Sequence, residues 1–92
     1  MKVEHKQRED GGQFYIFQNG ENIAEMDYEL PGEQKMIITH TEVNEAFRGK
    51  KLGEFLVVSG VEHARNMQLK LVPLCTYAKA IIDKNDEMKD VL

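Results

Sequence analysis

Cys75 is the only cysteine in the 92-residue chain, and it directly follows the strand-like run Leu69-Lys70-Leu71-Val72-Pro73-Leu74. Proline has no N–H to give to a ladder, so a strand holding Pro73 belongs at a sheet edge or splays there. A cysteine that follows such a strand and opens a helix has its thiol pKa lowered by the helix dipole, which makes Cys75 a candidate nucleophile. The plainer reading is a small buried hydrophobe. His40 lies within the run Lys35–Val43, where it is either a general base near neutral pH or a strand histidine bonded to a neighbour. Glu42 shares the strand face of His40 and would position a water or an amine, or is an ordinary surface charge. The third concentration of chemistry is Val43-Asn44-Glu45-Ala46-Phe47-Arg48-Gly49-Lys50-Lys51-Leu52-Gly53. A loop that opens a helix leaves backbone N–H groups unpaired, and these and the helix dipole favour an anion. Lysines in a first helical turn oppose that dipole, at roughly 0.3–1 kcal/mol each when exposed. A bound phosphate would compensate; otherwise the segment is a solvated basic turn.

The elements that must hold these residues are read from period and punctuation. Residues 1–12 are polar and end in the turn signal Asp10-Gly11-Gly12, with Val3 and His5 starting a short edge strand. Residues 13–18 are aromatic and β-branched, and Asn19-Gly20 predicts a type I′ hairpin, which needs φ > 0 at both central positions. Over residues 22–30, Ala24, Met26, Tyr28 and Leu30 alternate with Glu25, Asp27 and Glu29, which predicts a half-buried antiparallel strand. Pro31-Gly32 predicts the next turn. Residues 35–43 carry apolar side chains on both faces and read as a central strand. Helical periodicity covers 50–67, with Leu52, Leu56, Gly60, Ala64 and Met67 on one face, Val57 and Val61 flanking it, and Phe55 and Val58 needing cover from elsewhere. Gly53 and Gly60 predict close approach of this helix to the sheet. His63 falls near its apolar side and reads as structural. A second helix over 76–84 turns Ala78, Ile81 and Ile82 inward, Asn85-Asp86 breaks it, and the tail 88–92 docks its apolar residues. The expected fold is α/β (α+β), a mixed, mostly antiparallel sheet made of a β-meander followed by helix, strand and helix.

Composition bounds the function. A chain of 92 residues is expected to form one domain, residues 1–92, with one modest core. A net charge of -4 gives no overall electrostatic drive toward nucleic acid, so the basic cluster at 48–51 suits a small anionic ligand. A single cysteine allows no internal disulfide and points to a reducing, cytoplasmic setting. No run approaches the ~18–20 apolar residues of a membrane span, and the charged N-terminus lacks a signal-peptide core. No Walker loop, Gly-x-Gly-x-x-Gly or Cys/His metal spacing is present, and no metal is expected.

Arg48-Gly49-Lys50-Lys51-Leu52-Gly53, between a strand and a helix, resembles the pyrophosphate-binding motif (Gln/Arg)-x-x-Gly-x-(Gly/Ala) of the GNAT acetyltransferase superfamily. With His40-Thr41-Glu42-Val43 before it and Val72-Pro73-Leu74-Cys75-Thr76-Tyr77 after it, the chain is similar over residues 10–92 to the short GNAT-like family of predicted N-acetyltransferases. The resemblance implies acetyl-CoA (CoA) binding, with Val43, Arg48, Gly49, Lys50, Lys51, Leu52 and Gly53 as the cofactor-binding set. It implies transfer of an acetyl group to an amine on a small molecule or a protein. The pantetheine arm would lie where the strand ending at Val43 parts from the strand at 70–74. Lys51 stands where the motif has glycine; its side chain would crowd the pyrophosphate, pair with a phosphate or turn outward. Cys75, His40, Glu42 and Tyr77 are the catalytic candidates, with Tyr77 protonating a departing thiolate and Cys75 open to a covalent acetyl route. A CoA-binding module without turnover is the alternative, and a monomer or weak homodimer is the expected state.

Overall fold

The computed structural model describes residues 2–92. Five strands lie side by side in chain order: β1 (Glu4–Arg8), β2 (Gly11–Gln18), β3 (Glu21–Gly32), β4 (Lys35–Val43) and β5 (Lys70–Pro73). The first four form an antiparallel meander, and β5 joins β4 in parallel. Helix α1 (Leu52–Asn66) makes the crossover between β4 and β5. Helix α2 (Thr76–Asp83) and a 3₁₀ helix (Asp86–Val91) close the chain. The mixed, mostly antiparallel α+β architecture is the one expected from the sequence.

The local reasons are mostly those the residues advertise. Asn19 and Gly20 take φ of 54° and 77°, the left-handed pair that a tight hairpin demands. The Pro31-Gly32 turn is displaced: the strand runs on through Gly32, and Glu33 and Gln34 make the bend at φ of 59° and 58°. Phe14 and Ile16, Ala24, Met26 and Tyr28, Met36 and Ile38, and Leu71 form one sheet face, and all are buried. Leu56, Val57, Val61 and Ala64 of α1 cover that face, joined by Ala78, Ile82, Met88 and Val91. Full burial of such aliphatic side chains contributes roughly 1.5–3 kcal/mol each.

Four expectations about α1 change and one holds. The helix begins at Leu52, so Lys50 and Lys51 precede its first turn. Met67 caps its C-terminus and is exposed, while Phe55 and Val58 keep solvent contact. Gly60 does meet the sheet, since a β-carbon there would lie 2.7 Å from the Met26 methyl. Gly53 instead meets the ring of Tyr77, so its missing side chain admits α2 and not the sheet.

β4 contains the irregularity that shapes the site. Tyr28 pairs with Ile38 but Asp27 pairs with His40, leaving Thr39 as an extra residue. Such a bulge reverses the alternation of side chains beyond it. Met36 and Ile38 face the helices before it; Thr41 and Val43, opposite Met26 and Ala24, face them after it. The parallel pairing with β5 stops at Ile38–Pro73. Past it, the Ile38 carbonyl accepts from the amides of Leu74 (3.0 Å) and Cys75 (3.2 Å), and the chain turns into α2.

Candidate active site

Where β5 leaves β4, a cleft of about 480 Å³ opens. Thr41, Glu42 and Val43 line its strand wall, Phe47, Arg48, Gly49, Lys51, Leu52 and Gly53 line the loop and helix start, and Tyr77 lines the α2 side. The strand supplies backbone donors. The Asn44 amide points across to the Ile23 carbonyl of β3 at 2.8 Å. Backbone groups alternate along a strand, so the Val43 amide points the other way, into the gap that β5 vacates. By the same alternation the Thr41 amide points to that side, where it favours the ionised form of Cys75.

The loop is built to expose further donors. Asn44 Oδ1 accepts from the Ala46 amide at 2.9 Å and starts a single 3₁₀ turn, Glu45–Phe47. Gly49 then takes φ of 83° and Lys51 φ of 63°. Lys51 is the N-terminal cap residue of α1 and provides no capping hydrogen bond. The first helical bond runs from the Phe55 amide to the Lys51 carbonyl at 3.1 Å, so the amides of Leu52, Gly53 and Glu54 ahead of it have no capping side chain. Arg48 and Lys51 add positive charge at the same end. The residues that line the cleft therefore suit an extended ligand with amides along its length and phosphates at one end.

Of the residues singled out from sequence, Glu42, Val43, Arg48, Gly49, Lys51, Leu52, Gly53 and Tyr77 line the cleft, while Lys50, His40 and Cys75 do not. Lys50 is exposed in the loop. The Thr39 bulge turns His40 to the outer sheet face, and His40 approaches the cleft only through Glu42, with Nε2 and Oε2 4.0 Å apart. Cys75 is the cap residue at the start of α2, half-buried, next in the chain but one to Tyr77, and is not among the residues that line the cleft. Burial pushes the Cys75 thiol up, but the Ala78 amide, the Thr41 hydroxyl and the amides of Tyr77 and Thr41 outweigh it and leave the thiol below its ordinary value. Thr41 and Phe47 are the lining residues that the sequence reading did not single out. Thr41 carries no signal of its own, since its inward direction depends on the bulge.

On the outer side of Glu42 a second recess of about 340 Å³ shares Glu42, Val43 and Arg48 with the first. Glu25 lies directly opposite Glu42 in the β3–β4 register, and Glu45 lines the same recess. Like charges opposed across strands repel, so this rim favours a cation.

A family described as GCN5-related N-acetyl-transferase matches residues 13–91. Protein NATD1 of Danio rerio is 30% identical over 86 residues, which are 92% of this chain and 76% of that protein. The solution structure of a GCN5-like protein from Staphylococcus aureus superposes with a TM-score of 0.75 at 35% identity, covering 96% of this chain and 85% of that one. A ribosomal-protein-alanine N-acetyltransferase from Brucella melitensis shares the fold at 14% identity, with a TM-score of 0.68 over 85% of this chain and 62% of its own.

Proposed function

We propose that this chain, which belongs to the GCN5-related N-acetyltransferase family, transfers an acetyl group from acetyl-CoA to an amine. The observation that carries the reading is the cleft itself. The strand amide of Val43, freed by the departure of β5, leads toward an uncapped helix start flanked by Arg48 and Lys51. Arg48, Gly49, Lys51, Leu52 and Gly53 would hold the pyrophosphate, through amides and two cations. The amide of Val43 would orient and polarise the acyl carbonyl. Acetyl-CoA supplies an acyl carbon activated as a thioester, with a thiol as leaving group.

The chain's own residues then divide the work. Preorganised amides aimed at an oxygen that gains charge are a large source of rate enhancement, and positioning adds to it. Glu42, at the boundary of both recesses, orients the amine and accepts its proton. The carboxylates of Glu25, Glu42 and Glu45 favour an acceptor that arrives as an ammonium. The Tyr77 hydroxyl lies on the α2 side of the cleft, suited to protonate a departing thiolate. Cys75, whose thiol is held below its ordinary value, is the group that a two-step transfer through the protein would use.

Calorimetry with acetyl-CoA and with CoA, followed by amide NMR shifts, tests the reading. Binding is expected, with the largest shifts at Thr41, Val43 and residues 48–53. No binding heat, or shifts centred elsewhere, overturns it. Thiol release on addition of primary amines separates an acetyltransferase from a CoA-binding module, which would bind without turnover.

A further inference from the structure

Thr41 Oγ1 is shut off from solvent and has no hydrogen-bond partner among the described residues. Buried polar groups are ordinarily paired, so an orphaned hydroxyl at the edge of a cleft calls for a physical reason. The Thr39 bulge turns this side chain inward, and the departure of β5 turns the Thr41 amide toward Cys75. The Thr41 hydroxyl and amide and the amides of Tyr77 and Ala78 all lie where they favour the Cys75 thiolate, yet the neutral side chain makes no capping hydrogen bond at the start of α2. A neutral thiol is a weak acceptor, whereas an anion accepts strong, charge-assisted hydrogen bonds. An ionised Cys75 would thus give the unpaired hydroxyl a strong acceptor that the neutral thiol does not.

We propose that Thr41 is a positioning residue for Cys75: its hydroxyl is reserved for the thiolate and holds it toward the cleft. Valine at this position would fill nearly the same space and suit a strand, yet offer no donor. The inference rests on the reading of Cys75 as a group that reacts, but its test needs no acetyl-CoA.

The experiment is the pH dependence of iodoacetamide alkylation at Cys75, followed by intact mass in the wild type, Thr41→Val, Thr41→Ala and Thr41→Ser. Amide spectra establish that each variant is folded. The two variants without a donor should shift the midpoint upward by about one pH unit, an approximately tenfold loss of thiolate at a given lower pH, as expected for one charge-assisted bond. Thr41→Ser should keep the wild-type midpoint. A folded Val or Ala variant with an unchanged midpoint overturns the proposal, as does a Ser variant that titrates like Val. An upward shift in a protein that fails to bind acetyl-CoA by calorimetry would support the role of Thr41 and sink the acetyltransferase reading, so the two failures are distinct.

Discussion

Lys51 adopts φ of 63°, a left-handed conformation that crowds its β-carbon against the following carbonyl. The position corresponds to a glycine in the resembling pyrophosphate motif, so the backbone keeps the glycine shape while the residue does not. From sequence, Lys51 reads as a misplaced charge in a first helical turn, and Lys51→Gly as nearly neutral for stability. The structure changes that balance, since relief of the left-handed strain is worth roughly 1–2 kcal/mol. Added chain entropy in the unfolded state takes back roughly 0.5–1 kcal/mol. Lys51→Gly should therefore stabilise the unliganded protein by about 0.5–1 kcal/mol in denaturant melts. The same change removes one of two cations from the cleft, so acetyl-CoA affinity should fall roughly two- to fivefold, the value of an exposed ion pair. Higher affinity would instead show that the side chain crowds the phosphates.

The elements were legible wherever a local rule acted alone. Asn19-Gly20, the alternation of 24–30 and the proline in β5 each have a local cause, and the structure has the corresponding hairpin, strand and edge. The Thr39 bulge was not legible, because Met36-Ile37-Ile38 is apolar at every position and carries no mark of where the alternation reverses. As a result His40, a candidate base by sequence, faces outward, and Thr41, unmarked in the sequence, faces the cleft. The contact of Gly53 with Tyr77 was equally hidden, since it joins two helices far apart in sequence. The two helical glycines give a paired prediction by thermal melts and calorimetry. Gly60→Ala meets side-chain ends alone, the Met26 methyl most closely at 2.7 Å, and gains helix propensity, so stability should stay within about 1 kcal/mol. Gly53→Ala must displace a ring in the wall of the cleft, an overpacking cost of roughly 1–3 kcal/mol. It should also weaken acetyl-CoA binding, while Gly60→Ala should not. Equal effects at the two sites would mean that Tyr77 yields freely and does not shape the cleft.

At the scale of the whole molecule, β1 is an edge strand held to α1 by a cluster of rings, and this clasp should make stability depend on pH. His5 stacks on Phe14 with centroids 4.0 Å apart, and its Nε2 lies 2.6 Å from the hydroxyl of buried Tyr28. His63 of α1 meets His5 edge-on at 4.7 Å, and its own Nε2 is buried without a partner among the described residues. Burial holds both histidines below their ordinary 6.5, and for His5 the neighbouring His63 adds to the effect. The unfolded chain therefore binds protons more readily than the folded one in this range. The contribution is fully present above about pH 6.5 and is lost as pH falls below it toward the depressed folded values. A second window lies lower. Hydrogen bonds from Arg65, 2.6 and 2.9 Å long, hold the Asp90 carboxyl below 3.8, so what this tie contributes survives until pH falls through that depressed range. His63→Phe keeps a ring in the cluster and removes a buried nitrogen with no partner among the described residues, so the protein should be at least as stable at neutral pH. Its melting temperature should also fall less between about pH 7 and 5 than that of the wild type. Asp90→Asn should leave that slope intact and flatten only the region below about pH 4. A wild-type melting temperature that stays constant from about pH 7 to 5, or a His63→Phe slope equal to that of the wild type, would show that these rings do not carry the acid sensitivity of the fold.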